Sequence, residues 1–334
     1  MIYDCFSFFN ELDLLEIRLN VLKDVVDRFV LVEAGETHTG KPKPFYFEEN
    51  RGRFAAFADR IIYLKIEKFP AGHGAWWNEN YQRNEIATAL ADAGAKDDDW
   101  ILVSDLDEIP DPTVVAKCAR QTGVYQFRPT SFGFYLNMLD YRTPYTWGTK
   151  MLSCWDMRTA FDGVETYYDE FLPEELNSGT TVTKVRRRKV PSSHGGEQVI
   201  TGAGWHFTCL GGARAVLAKM RAVAPHLGFD PDDPDLTEES VTELLAKGQS
   251  PGLKMNCFAI PVDRRLPEYI RNSIDRYRHL VFEITPEYRR QTRILRKVRW
   301  LQGRWIALCL ALCPAWLLAW MHQLKVRLRV ARTN

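Results

Sequence analysis

Trp100-Ile101-Leu102-Val103-Ser104-Asp105-Leu106-Asp107-Glu108-Ile109-Pro110 is an apolar run that stops on three acids within four residues. Its first five residues suit a short strand buried on both faces, as crossover helices bury the parallel strands of a layered α/β domain. Open sheets of that kind bind ligands just outside the carboxyl ends of their strands. Asp105, Asp107 and Glu108 therefore stand where a ligand is expected. Downstream, Asp111 can cap a helix whose first residue is Pro112, which leaves the acids in a strand-to-helix loop.

The flanking sequence alternates in the same way. Residues 2–6 form a short strand candidate, and Leu12, Leu15, Leu19 and Leu22 recur at helical spacing. Residues 28–34 (RFVLVEA) make a second, nearly all-apolar strand and 60–66 a third. The loop from Gly35 to Pro44 is rich in turn formers. After Gly72-His73-Gly74, the residues Ile86, Ala89, Leu90 and Ala93 share one face of a helix. Beyond Gly123 the pattern weakens, with β-like pieces at 124–128 and 181–186 and helical spacing at 213–223 and 237–247. Ile270, Ile274, Tyr277 and Val281 repeat it once more. The expected class is α/β with a Rossmann-like, mostly parallel sheet. The expected domains are 1–285, divided into a nucleotide-binding half (1–122) and an acceptor half (123–285), and a tail of 286–334.

Asp105 and Asp107 can both turn toward one hard divalent cation, Mn²⁺ or Mg²⁺, whose remaining positions go to water and phosphate oxygens. The chemistry that uses such a site is departure of a nucleoside diphosphate, whose growing charge the metal neutralises. The bland alternative is acids that cap a turn. Arg83, on the helix feeding this strand, can pair with a diphosphate or with Asp105. Glu33 ends the second strand at the same edge and can accept from a ribose or base, or simply hold a loop.

Four pieces taken in order carry a family resemblance: Phe29-Val30-Leu31-Val32-Glu33-Ala34, Gly40-Lys41-Pro42-Lys43-Pro44, Val103 through Pro110, and Ala203-Gly204-Trp205-His206-Phe207. Together they resemble glycosyltransferase family 17, whose eukaryotic members are β-1,4-mannosyl-glycoprotein 4-β-N-acetylglucosaminyltransferases. The resemblance spans about residues 1–283. It implies a GT-A nucleotide-diphospho-sugar transferase fold, a UDP-sugar donor and a divalent metal at Asp105 and Asp107. By the same similarity His206 is expected to complete the metal shell, with Trp205 stacking on a donor or acceptor sugar; a packed core histidine is the plainer reading. Arg186-Arg187-Arg188-Lys189 can steer the diphosphate or form a solvated hairpin face. An inverting course needs a general base, open among Asp140, Glu165, Asp169 and Glu170.

The whole chain, 334 residues, balances 44 basic against 43 acidic side chains for a net charge of +1. From Tyr288 onward there are 11 basic residues and no acid, which leaves 1–287 at −10. Seven scattered cysteines, with no paired spacing for zinc, read as reduced thiols in a cytosolic setting. No N-terminal leader or anchor is apparent. Residues 305–321 (WIALCLALCPAWLLAWM) are apolar and flanked by basic residues, with Pro314 near the centre. A span needs about 20 helical residues, so the pattern predicts a bent, re-entrant or interfacial segment with both ends on the cytoplasmic side. Basic residues near anionic lipid gain about 1 kcal/mol each, so 288–334 is expected to bind an anionic membrane surface. No nucleic-acid partner is expected.

These features predict a metal-dependent glycosyltransferase moving a sugar, GlcNAc first, from a UDP donor to a glycan or glycolipid acceptor. Two rivals use the same residues differently. One is a metal-dependent nucleotide-sugar hydrolase. The other is a membrane-tethered glycan-binding module built on Trp147, Trp155, Tyr167 and Tyr168.

Overall fold

The computed structural model describes residues 1–141, 148–160, 181–187, 189–190, 196–223, 234–247, 255, 257–290 and 292. The chain divides into two compact units, a larger one of Met1–Asp140 and Pro144–Glu283 and a smaller one holding the remainder. Of the smaller unit, residues 141, 284–290 and 292 are described.

The larger unit opens with β1 (Ile2–Phe8), α1 (Leu12–Leu22), β2 (Arg28–Ala34), a short α2 (Tyr46–Glu49), a 3-10 segment (Arg51–Arg60) and β3 (Ile61–Ile66). It continues through α3 (Ala75–Asp92), β4 (Trp100–Val103), β5 (Glu108–Pro110) and α4 (Pro112–Cys118). β3, β2, β1 and β4 lie side by side in that order, all parallel. Their side chains alternate between two cores. Phe6, Phe8, Phe29, Leu31 and Leu102 pack with Leu15 and Leu19 of α1, and Cys5, Val30, Val32, Ile101 and Val103 pack with Ile86 and Leu90 of α3. Burial on both faces is why these strands lack polar alternation. The helix after β4 starts as the sequence predicts, with Asp111 accepting from the Thr113 amide at 2.8 Å and Pro112 in the first position.

The second half is mixed. It comprises β6 (Val124–Gly133), β7 (Met138–Asp140), β8 (Lys150–Ser153), α5 (Cys154–Thr159), α6 (Val182–Arg187), β9 (Glu197–Thr208), α7 (Gly212–Val223), α8 (Glu238–Ala246), β10 (Cys257–Ala259) and α9 (Glu268–Asn272). β8 joins β4 antiparallel and extends the sheet through β6 and β7 to β10, while β9 pairs parallel with β6 and antiparallel with β5.

Two local expectations need correction, and one unassigned segment becomes a strand. Residues 181–186, β-like by their β-branched content, belong to a helix: Val182 and Val185 both enter the core beneath α3, and the Asn84 side chain accepts from the Thr183 amide at 3.0 Å. The segment 197–208, unassigned by its pattern, forms the 12-residue β9, hydrogen-bonded to β5 and β6. Gly204 has φ +148°, and a Cβ there would lie 2.3 Å from the Ile109 carbonyl, so only glycine permits the β5–β9 approach. The helical spacing from Ile270 to Val281 is broken, since only Glu268–Asn272 is α-helical and Arg278–Leu280 is a 3-10 turn.

No helix among the described residues is long and apolar enough to cross a membrane. The apolar run 305–321 lies outside them.

Candidate active site

The acidic turn is held from beneath by one side chain. Arg18, fully buried on α1, forms a fork with Asp4 of β1 at 2.6 and 2.7 Å. Its remaining N–H groups donate to the carbonyls of Asp105, Leu106 and Glu108 at 2.9, 3.0 and 2.9 Å and to Ser104 Oγ at 2.6 Å. A turn whose carbonyls point inward onto one guanidinium presents its carboxylates in a fixed arrangement.

Each carboxylate meets a protein cation. Arg83 of α3 donates to Asp105 Oδ1 at 3.0 Å and to Glu79 at 2.8 Å, so the sequence-level pairing of Arg83 with Asp105 is present. Arg186 of α6 lies 2.5 Å from Glu108 Oε1 and 3.6 Å from Asp105 Oδ2. Lys219 of α7 donates to Asp107 Oδ2 at 3.1 Å, and His206 Nε2 stands 3.6 Å from the same oxygen. Burial pushes the Asp105 carboxyl up, but Arg83 and Arg186 outweigh it and hold the pKa at about 2. Asp107 is likewise opposed by burial and held well below the carboxylate range by Lys219 and His206. Glu108 goes the other way: burial raises it, and Arg186 offsets only part. The turn is a charge-matched cluster in which Asp105, with a side chain 41% exposed, is the member open to a ligand.

His206 reaches Asp107 because β9 pairs with β5, placing His206 opposite Glu108 while the Phe207 amide donates to the Asp107 carbonyl at 2.8 Å. Trp205, its neighbour along the strand, points to the opposite face. Its indole N–H donates to the Arg265 carbonyl at 2.7 Å and its ring packs on the core, so it does not share a face with His206. Glu33 also differs from its expectation. Its fully buried carboxylate accepts from the Tyr46 and Phe47 amides, Lys43 and the Tyr63 hydroxyl at 2.7–3.2 Å. It fastens the loop to α2 and has no exposed oxygen for a ribose.

Asp105, Asp107 and His206 do not assemble as the expected metal shell. Oxygen and imidazole donors suit a hard cation in chemistry, but their placement does not, since Asp105 is paired with Arg83 and Arg186 and Asp107 with Lys219. Among the described residues no group of three His, Cys, Asp or Glu side chains is arranged to hold a metal ion.

Of the candidate bases, Glu165, Asp169 and Glu170 lie outside the described residues, as do Trp147, Tyr167, Tyr168 and Arg188. Asp140 ends β7 opposite Cys257, separated from β4 by β6 and β8. Trp155 is exposed on α5. His73 stacks on Trp77 with ring centroids 3.8 Å apart.

Two residues of the site, Lys219 and His38, escaped the sequence reading, whereas Arg186 belongs to the basic run read as able to steer a diphosphate. That run also fits a solvated face. Lys219 is a single cation on an amphipathic helix. His38, in the Gly35–Pro44 loop, bonds Gln82 Oε1 through Nε2 at 2.9 Å; burial lowers its pKa against the pull of Glu79 nearby. The family resemblance reaches only Gly40–Pro44 of that loop and does not include His38.

Residues 1–160 match the profile of glycosyltransferase family 17. Over 111 residues the chain is 34% identical to the human β-1,4-mannosyl-glycoprotein 4-β-N-acetylglucosaminyltransferase and 34% and 33% identical to those of Rattus norvegicus and Mus musculus. Each match covers 30% of this chain, which spans about a fifth (20%) of the length of these curated relatives. Similar solved structures include S. aureus TarS 1–349 (TM-score 0.36, 12% identity, 73% of this chain and 72% of that one). Another is the mannosyltransferase PcManGT from Pyrobaculum calidifontis in complex with GDP-Man and Mn²⁺ (TM-score 0.32, 11% identity, 73% and 70%). Asp105, Asp107, Arg83 and Glu33 all lie within the matched stretch, residues 1–160, which is similar to glycosyltransferase family 17.

Proposed function

We propose that the chain is a GT-A glycosyltransferase that takes a UDP-sugar, UDP-GlcNAc first, and passes the sugar to a hydroxyl of a glycan or glycolipid, inverting the anomeric carbon. The observation that carries this reading is the Asp105–Glu108 turn at the carboxyl end of β4, fixed by Arg18 and ringed by Arg83, Arg186 and Lys219. A guanidinium fork suits phosphate oxygens, and cations held in place before reaction stabilise the charge that develops as the glycosyl–phosphate bond breaks. The family match supports the reaction class, and the relatives' names supply GlcNAc as the sugar to test first.

The acceptor hydroxyl loses its proton to a carboxylate base of the second half, among Asp140, Glu165, Asp169 and Glu170. Residues 288–334, with 11 basic side chains and the apolar run, would keep the enzyme on an anionic, cytoplasm-facing membrane surface where a lipid-linked acceptor is available.

Donor turnover and thermal shift over a panel of UDP- and GDP-sugars, with and without Mn²⁺, test the reading. Asp107→Ala is expected to lower turnover by at least about 100-fold, the scale of removing a preorganised electrostatic group. Binding of no nucleotide sugar sinks the transferase; release of free sugar without transfer to any acceptor favours the hydrolase instead. For the tail, fractionation with and without 288–334 decides, equal solubility of both forms refuting the membrane role.

A further inference from the structure

His38 is gripped at two points by α3. Its backbone carbonyl accepts from the Asn78 side chain at 2.9 Å, and its ring nitrogen Nε2 meets Gln82 Oε1, also at 2.9 Å. Asn78 and Gln82 lie about one helical turn apart, and their chain neighbours Glu79 and Arg83 form the pair that reaches Asp105. The imidazole therefore stands beside the acidic turn, near enough that Glu79, Arg83 and Asp105 all act on its charge.

Gln82 fixes which ring nitrogen carries the proton. Its amide nitrogen donates to two backbone carbonyls, that of Val32 at 2.9 Å and that of Phe8 at 3.3 Å, and a carbonyl can only accept. Oε1 is then the atom that faces the ring, and since an amide oxygen also only accepts, His38 Nε2 is the donor. Burial lowers the pKa of this histidine, which favours the neutral ring. A neutral imidazole with its proton on Nε2 carries a lone pair on Nδ1, and Nδ1 makes no hydrogen bond among the described residues. The residue is only half-buried.

Open parallel sheets bind nucleotides across the carboxyl ends of their strands, and in dinucleotide-binding sheets an acid about 20 residues beyond the first strand accepts from a ribose hydroxyl. Glu33, at the end of β2, holds the corresponding place here, but its oxygens are taken by the Tyr46 and Phe47 amides, Lys43 and Tyr63. His38 lies in the loop leaving the same strand and offers the acceptor that Glu33 does not. We propose that His38 Nδ1 accepts from a ribose hydroxyl of the donor nucleotide, whose diphosphate faces Arg83. The inference rests on reading the acidic turn as a nucleotide-sugar site. It makes the ribose, through one fixed lone pair, a part of what the site recognises.

The test is calorimetric titration of the full chain with UDP and GDP, each in its ribo, 2′-deoxy and 3′-deoxy forms, with and without Mn²⁺ in the buffer. The native chain is expected to bind the ribo form of one nucleotide about tenfold more tightly than at least one of its deoxy forms, the scale of a single well-placed hydrogen bond. In His38→Phe, which keeps a flat ring and lacks both nitrogens, that preference is expected to vanish while the nucleotide still binds. Equal affinity for ribo and deoxy forms in the native chain overturns the proposal and leaves the transferase reading standing. A preference that survives in His38→Phe does the same. If His38→Phe does not fold, His38→Gln, which keeps a donor for Gln82 and removes the ring nitrogen, decides by the same comparison. The ¹⁵N shifts of the His38 ring in the native chain check the proton assignment without any nucleotide, and a proton on Nδ1 overturns the proposal. A chain that binds neither nucleotide in any form refutes it together with the transferase reading.

Discussion

Replacing Arg18 with methionine isolates the group on which the acidic turn depends. The apolar stem is retained and the guanidinium is lost, with its fork to Asp4, its bond to Ser104 and its three bonds to the turn carbonyls. Breaking a buried pair by removing one partner costs about 3–5 kcal/mol, because Asp4, itself fully buried, keeps an uncompensated charge. The three carbonyls each lose about 1 kcal/mol of hydrogen bonding, part of which entering water restores. A net loss of about 5 kcal/mol is expected, a third or more of a typical domain's stability. At about 2–4 °C per kcal/mol for domains of this size class, the midpoint falls by about 10–20 °C. Urea unfolding of Arg18→Met, Asp4→Leu and the double variant measures this as a cycle. The double variant is expected to recover a few kcal/mol relative to Arg18→Met, since both desolvation penalties vanish together. Its donor turnover is expected to stay low, because the turn carbonyls remain unsupported. A single variant costing less than about 1 kcal/mol, or a double variant no more stable than Arg18→Met, refutes the claim that this pair fastens the turn.

Gly204→Ala is expected to destabilise by about 2–3 kcal/mol in urea unfolding, since it adds a Cβ at φ +148° against the Ile109 carbonyl; a neutral effect would mean that β5 and β9 do not approach this closely. Asp111→Ala should cost about 1 kcal/mol through loss of the cap on α4, and Asp111→Asn much less. Asp105 supplies the pH dependence. Its folded pKa of about 2 lies below the unfolded value of about 3.9, so its contribution is fully present above pH 4 and is lost as pH falls toward 2. Acid unfolding followed by circular dichroism should therefore show a shallower slope over that window in Asp105→Asn; an unchanged slope means that Arg83 and Arg186 do not hold the carboxylate.

The first half of the fold was legible because its signals are local. Val30, Leu31 and Val32 alternate between two cores, yet the strand reads as continuously apolar because both faces are covered. Leu15, Leu19 and Leu22 mark the buried face of α1 at helical spacing, and Asp111-Pro112 declares a helix start. The second half was less legible because its elements owe their form to partners. Val182-Thr183-Lys184-Val185 has the composition of a strand and becomes a helix where α3 offers Asn84 and an apolar floor. β9 reads as a turn-rich loop until β5 and β6 supply its hydrogen bonds.

The same division holds at the site. The sequence by itself determined that Asp105, Asp107 and Glu108 follow a buried strand and that Arg83 lies on the helix before it, since strand, turn and cap are encoded within a dozen residues. The tertiary structure alone decided which further charges meet those acids: Arg186 arrives from 78 residues beyond Glu108, and Lys219 from 112 beyond Asp107. It also turned Trp205 away from His206 and enclosed Glu33 within its own loop. Backbone periodicity is written locally, because neighbouring side chains share one helix or strand. Charge pairing across such separations depends on where the intervening chain folds back, and no short window of sequence contains that.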